Sequence, residues 1–357
     1  MVGSESHLKH VLEYIIRKRA VSCLTFDCLV GLTVAVLGCG PGHSRPSGHD
    51  DVTFAIAPSG QSVVFNAQGD GGRDLYLLDL TTQKVSRIAA TPDYEVDPEF
   101  APDGKTIVYA AGQPGDRADH LFTRTLASGA VRRLTAEPFN DASPAFSPDG
   151  SKVVFTRDKT YQWGGLAANW DEGGTLCVIK PDGTGLCELP RAGPLTIDPR
   201  FAPDAQAILF ADEHRLLMVA VDGLTPPRPL ESPAERSEQG VFALDGSALA
   251  FAAGKFSPSF RIYLAQLDGT QAKPIAAPPA PNGNSLNDGC FCPVFHPDGK
   301  RIFFLRDVWP TGPTGAPKKA LWEVDLATSR SREVADFALF DDPLGWKPPG
   351  PTPPRRP

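Results

Sequence analysis

One short signature recurs six times in this chain: a Phe, one residue, Pro-Asp-Gly or a variant of it, and then a strongly apolar run. It reads Phe100-Ala-Pro-Asp-Gly104 before Ile107-Val108-Tyr109, and Phe146-Ser-Pro-Asp-Gly150 before Val153-Val154-Phe155. It returns as Phe201-Ala-Pro-Asp-Ala205, Phe242-Ala-Leu-Asp-Gly246 and Phe295-His-Pro-Asp-Gly299, each again followed by an apolar run. The most divergent copy is Phe54-Ala-Ile-Ala-Pro-Ser-Gly60, before Val63-Val64-Phe65. The Phe positions are 46, 46, 55, 41 and 53 residues apart. That period suits one four-stranded propeller blade per copy, with connections of variable length.

The chemistry of each copy is that of a tight hairpin. Pro presets φ, Asp can bond its own backbone, and Gly supplies the positive φ that closes the turn. The strand after the turn is apolar at consecutive positions, so both of its faces must be covered, as neighbouring blades would do. A third strand alternates, as in Leu75-Tyr-Leu-Leu-Asp79 and Leu321-Trp-Glu-Val-Asp325, and short turns such as Pro181-Asp182-Gly183 lead to an outer strand. Thirty-four Gly and thirty-six Pro among 357 residues fit many short strands joined by turns. The expectation is an all-β chain: one six-bladed β-propeller over 51–347, with four antiparallel strands per blade.

These repeats resemble the TolB-like and WD40-like propeller repeats of bacterial periplasmic proteins. The resemblance implies the fold and says little about activity, because the repeated residues are those that build blades. Asp342-Pro343-Leu344-Gly345-Trp346 reads as the start of a seventh copy without its hairpin, placed to close the ring against the first blade. Residues 348–357 are a Pro-rich tail.

Ahead of the repeats, Arg17-Lys18-Arg19 precedes an apolar run ending at Cys39. Charged region, apolar region and cleavage site are the parts of an export signal, here residues 1–38. Asp27 interrupts the run and its clean part is short, which disfavours a membrane span. Val36-Leu37-Gly38-Cys39 resembles a bacterial lipobox, which implies lipidation of Cys39 as the first mature residue. An ordinary signal peptide that contains a cysteine is the other reading. Residues 39–50 then read as a flexible tether. The net charge is −7, and with the leader's net of +1 removed about −8 remains, so no basic field is available for nucleic acid.

Where strands run outward from the axis in order, the connections before the first strand and between the second and third share one end of the propeller. All the long connections fall there, which makes that end the candidate functional face. The insertion Arg157 to Gly174 carries Tyr161, Trp163 and Trp170, and Asp307 to Lys319 carries Trp309. Aromatic side chains there suit stacking on a carbohydrate or a protein contact, and packing over the loop base is the alternative. Residues three before the repeat Phe, namely Asp51, Asp97, Ser143, Asp198, Gln239 and Cys292, form a candidate ring at the funnel mouth. Such a ring can bind a cation, or its members can satisfy local backbone N–H groups.

Cys177 and Cys187 lie symmetrically about Asp182, facing each other in the expected hairpin, where a disulfide is plausible in an oxidising compartment. Cys290 and Cys292 have only His296 nearby as a further metal ligand. No Gly-x-Ser-x-Gly elbow, His-Glu-x-x-His, Walker or dinucleotide glycine motif is present. The histidines beyond the leader are scattered, so general-base chemistry has no evident centre, and no catalytic residue, metal or cofactor is assigned. The expected function is therefore a non-catalytic, exported binding module of the bacterial cell envelope. Its partner would be an envelope protein, a peptide or a glycan, the chain a monomer, and its contact with membrane a lipid anchor alone. A propeller lyase or hydrolase with a site in the axial funnel, or a carbohydrate-binding lipoprotein, is the alternative.

Overall fold

A computed structural model describes residues 52–69, 72–91, 94–112, 118–159, 174–189, 196–255, 260–275, 289–308 and 318–348. Its strands group into six four-stranded antiparallel sheets, each built from one continuous stretch of chain. Blade 1 holds β1 (Phe54–Ile56), β2 (Ser62–Gln68), β3 (Arg73–Asp79) and β4 (Lys84–Ala89). Blade 2 holds β5 (Glu95–Phe100), β6 (Thr106–Ala111), β7 (His120–Thr125) and β8 (Val131–Arg133). Blade 3 holds β9 (Asn140–Phe146), β10 (Val153–Asp158), β11 (Thr175–Ile179) and β12 (Cys187–Glu188). Blade 4 holds β13 (Ile197–Phe201), β14 (Ala207–Asp212), β15 (Arg215–Ala220) and β16 (Arg228–Pro229). Blade 5 holds β17 (Arg236–Phe242), β18 (Leu249–Gly254), β19 (Arg261–Ala265) and β20 (Lys273–Pro274). Blade 6 holds β21 (Cys290–Phe295), β22 (Arg301–Val308), β23 (Lys318–Asp325) and β24 (Ser331–Ala335).

The registers define the repeat more sharply than the sequence does. Phe100 pairs with Ile107, Phe201 with Ile208 and Phe295 with Ile302, always the last residue of the first strand against the same position of the second. In blade 1 that place belongs to Ile56, which pairs with Val63, whereas Phe54 pairs with Phe65. The first copy is therefore framed on Ile56, two residues later than its Phe suggests.

Consecutive apolar residues of the second strand serve two interfaces, as their pattern requires. Val63 and Phe65 enter the core between blades 6 and 1, while Val64 enters the core between blades 1 and 2. The other four interfaces are built alike, so six apolar clusters complete a ring. Phe65, Phe155, Phe210 and Phe251 are fully buried, each contributing roughly 1.5–3 kcal/mol of transfer free energy.

Because every sheet is completed by its own segment, no strand is exchanged to shut the ring, and the contact between blades 6 and 1 is closed by packing. A one-turn helix, α1 (Ala338–Asp341), places Phe340 edge-on to Phe65 at 5.5 Å. Trp346 is buried in the same core and donates from Nε1 to Asp336 Oδ1 at 2.9 Å, so the C-terminal segment does close the ring. His296 stands in the blade 6 turn where the other copies have Ala or Ser, and its Nε2 lies 3.2 Å from the Gly60 carbonyl oxygen. A Cβ on Gly60 would meet that nitrogen at 2.6 Å, so glycine is required there by close approach as well as by its φ of 71°.

The cysteine pair of blade 3 does not face itself. Cys177 pairs with Glu188 and Cys187 with Val178, which puts the two side chains on opposite faces, one buried and one exposed, both as free thiols. Gly185, at φ 69°, adds one residue to the turn side of the hairpin, and that shifts the symmetric register by one. The expected disulfide is thus overturned. Cys290 and Cys292 also part: Cys290 is buried between blades 5 and 6, and His296 is occupied at the closure, not beside them.

Candidate functional site

The first strands of the blades stand against one another around the axis, and five of them carry the same irregularity. Each ladder between first and second strand slips by one residue, between Val96 and Glu99 in blade 2 and at the matching points of blades 3 to 6. The residue at the slip is left-handed: Asp97 at φ 52°, Ser143 at 52°, Asp198 at 50°, Gln239 at 56° and Cys292 at 51°. None is glycine, so each holds an unfavourable conformation of the kind that concentrates where a side chain must be aimed.

These side chains bond around the ring. Asp97 Oδ2 accepts from the Ser143 backbone N–H at 2.9 Å, and Gln239 Oε1 accepts from that of Cys292 at 2.9 Å. Ser143 Oγ lies 3.3 Å from Asp97 Oδ2 and 3.4 Å from Asp198 Oδ1, so its one proton can serve either carboxylate. Asp51 lies outside the described residues. The sixth place is held by Thr53, whose Oγ1 accepts from the Asp97 N–H at 3.0 Å. The expected satisfaction of backbone N–H groups is thus real, but it acts between blades rather than locally.

Glu99 of blade 2 and Arg200 of blade 4 approach to 3.9 Å, so the pair reaches past blade 3, which lies between them in the ring. Burial raises the Glu99 carboxyl above its ordinary value, and Arg200 offsets part of that rise. Burial likewise pushes the Cys292 thiol up to about 12, reinforced by the negative charge of Asp198, which keeps it an unreactive thiol at neutral pH.

The wall above this ring holds a second polar group that the sequence did not reveal. Arg157 is 1% exposed and makes a two-pronged contact with Asp141, Nε to Oδ1 at 2.7 Å and Nη2 to Oδ2 at 2.9 Å, with Glu137 at 3.2 Å. It also lies over the rings of Phe139 and Phe155. The group anchors the stem of the connection 159–174. Tyr161, Trp163 and Trp170 in that connection lie outside the described residues, as do Trp309 and Cys39.

At the boundary of blades 4 and 5, the His214 ring bonds through Nδ1 to the carboxylate of Glu238. His120 and His296 are buried, so among the described histidines only His214 presents its ring to solvent, at 40% exposure. Residues 24 apart in different blades leave no spacing signal. The trace in the sequence is a two-residue hairpin, Glu213-His214, that lacks the Asn or Gly such turns favour.

The model of the TolB beta propeller domain matches residues 50–214. Over those residues the chain carries TolB-type propeller repeats, and its fold is a six-bladed β-propeller. None of the curated proteins is significantly similar in sequence. TolB from Acinetobacter baumannii superposes with a TM-score of 0.57 at 15% identity, over 80% of this chain and 63% of that one. An oligogalacturonate lyase in complex with manganese gives 0.55 at 18% identity, over 79% and 75%. Hydrazine synthase of Kuenenia stuttgartiensis gives 0.60 at 12%, over 79% and 45%. At such identities the likeness establishes the fold alone, and these three names show how little a TolB-like propeller by itself decides. Among the described residues no three His, Cys, Asp or Glu side chains gather to hold a metal.

Proposed function

We propose that this TolB-like propeller is a non-catalytic binding module of the bacterial cell envelope, exported and lipid-anchored through Cys39, that receives a protein, peptide or glycan on its long-connection face. The observation that carries the reading is the axial ring. Five blades hold a non-glycine residue in a left-handed conformation at one repeat position, and the side chains there are of four kinds, Asp in two blades and Ser, Gln and Cys in the others. A device that served only to build blades would repeat its side chain along with its backbone. Blade-specific chemistry on a repeated, costly bulge is what a recognition surface at the mouth of the axis needs. Among the described residues no helix is long and apolar enough to cross a membrane.

The test is capture of partners from a crosslinked envelope fraction with the wild-type chain, with a ring variant Asp97→Asn/Asp198→Asn, and with a turn-end control, Asp204→Asn. The reading expects the ring variant alone to lose partners. Equal capture by all three overturns it. Palmitate labelling that survives Cys39→Ser overturns the anchor. One observation favours an enzyme instead, the imidazole–carboxylate pair His214–Glu238, since a carboxylate that orients a histidine is the common support of acid–base chemistry.

A further inference from the structure

We infer that His214, held by Glu238, is the contact point for an oxyanion, a carboxylate or phosphate group of the ligand, on the rim of the binding face. The inference rests on the reading of that face as the binding face and adds the chemical class that it takes.

The connection between second and third strands is shortest at this point. Second and third strands are joined by residues 69–72 in blade 1, 112–119 in blade 2, 159–174 in blade 3, 255–260 in blade 5 and 309–317 in blade 6. In blade 4 the join is Glu213 and His214 alone. Both have positive φ, 45° and 67°, a pair of left-handed residues for which Asn-Gly is the relaxed choice. A glutamate and a histidine kept in that turn are in conflict with its backbone preference, and the conflict needs a reason outside the turn.

The surroundings supply one. Ser237 donates its backbone N–H to the His214 carbonyl oxygen at 2.7 Å, and its Oγ accepts from the Leu216 N–H at 3.3 Å, so the hairpin is tied to the first strand of blade 5. Glu238, 3% exposed, takes Nδ1. With Nδ1 committed, the ring's remaining nitrogen, Nε2, is the one left to meet a ligand. Glu238 directly precedes Gln239 of the axial ring on β17.

The charged groups around this corner are Asp212, Glu213 and Arg215 on the hairpin, Glu235, Arg236 and Glu238 on the approach to blade 5 and its first strand, and Lys255 and Arg261 at the ends of its next two. Asp212 and Glu238 are buried, while Arg215, Arg236 and Lys255 are exposed. Of the exposed groups, cations outnumber the two carboxylates of Glu213 and Glu235. An oxyanion would accept from Nε2–H of the imidazolium, a charge-assisted hydrogen bond, with arginines available for a second contact.

The experiment is a titration of the full chain, with its histidines isotopically labelled, followed by imidazole NMR. The probes are inorganic phosphate and glucuronate, with chloride as the ionic-strength control. The His214 resonance is assigned by His214→Asn, which keeps a residue that tolerates positive φ. Expected is a saturable shift of His214 with one or both anions. It should be weakened in Glu238→Gln and absent with chloride. Phosphate alone, or glucuronate alone, identifies which oxyanion the corner selects. No saturable shift, or the same shift with chloride, overturns the inference. Anion binding that persists while the ring variant and the wild type capture the same partners would sink the proposed role of the face and leave the anion corner standing.

Discussion

The two ends of this propeller use the same side chains in opposite ways. At the turn end, Asp103, Asp149, Asp204, Asp245 and Asp298 each accept from the backbone N–H two residues ahead, a bond that closes inside one hairpin. At the other end, Asp97 accepts from Ser143, 46 residues away, and Gln239 from Cys292, 53 away. The first kind of bond forms before any tertiary structure exists. The second exists only once neighbouring blades have docked. The turn end is thus a set of local rules repeated six times, and the axial end is one cooperative assembly in which blades depend on each other.

If that contrast holds, the largest effect of a polar substitution lies at the long-connection end. Arg157→Ala strips the partner from Asp141, which is fully buried and whose carboxyl burial already pushes above its ordinary value despite the arginine. Breaking such a pair from one side costs about 3–5 kcal/mol. Equilibrium urea denaturation should show that loss, whereas Lys159→Ala, which removes the exposed pair with Glu188, should cost under about 1 kcal/mol. Similar losses for the two variants would mean that Arg157 is not the anchor its burial makes it.

Next in size is the ring. Asp97→Ala leaves the Ser143 N–H without its acceptor and should cost about 1–3 kcal/mol, while Asp97→Asn keeps an acceptor oxygen and most of the stability. A loss confined to blade 2, seen as hydrogen exchange that spares Ser143 and its neighbours in blade 3, would break the claim that ring bonds couple blades.

What could be read from the sequence follows the same division. The fold was legible because Pro-Asp-Gly is a local instruction, and each turn states it within five residues. The first copy was framed two residues early because Phe54 and Ile56 sit on the same face and enter the same core, so apolar periodicity cannot separate them. Only the distance to Pro58 does, and Ile56-Ala57-Pro58 keeps the spacing of Phe100-Ala101-Pro102. The ring positions were legible as a spacing, but neither their bulges nor their partners were, since both are set by the next blade. His214 with Glu238, and Arg157 with Asp141, were hidden for the same reason. The cysteine pairing failed on one glycine, because Gly185 changes the parity of a hairpin without changing its outline.

A smaller effect separates the two kinds of left-handed residue. Ala205 takes the glycine place of the blade 4 turn at φ 58°, with no side-chain task there, so Ala205→Gly should stabilise by about 0.5–1 kcal/mol. Ser143→Gly relieves the same kind of backbone cost but removes the hydroxyl between Asp97 and Asp198, and it should be neutral or destabilising. Equal gains from both would show that the ring serine does nothing its backbone does not.

The smallest effect is also the most diagnostic, because its sign reverses between the ends. Asp149 is held down to about 2, first by the Ser147 hydroxyl at 2.6 Å and then by Ser151, so its contribution is present above the unfolded value and lost as pH falls through about 2. Glu99 is raised by burial at the axis, so the folded chain holds its proton more tightly than the unfolded one. Its stabilising form is the protonated one, and that contribution declines as pH rises from about 4.3, the ordinary glutamate value, through the raised folded value. Thermal unfolding across pH should then show Glu99→Gln equal to wild type in acid and slightly more stable at neutral pH, while Asp149→Asn is slightly less stable at neutral pH and converges only in strong acid. A wild type more stable than Glu99→Gln at neutral pH would mean that Arg200 outweighs burial. The axis would then be closed by a net favourable ion pair, and the ring above it would rest on a rigid floor instead of an opening that a ligand's charge can perturb.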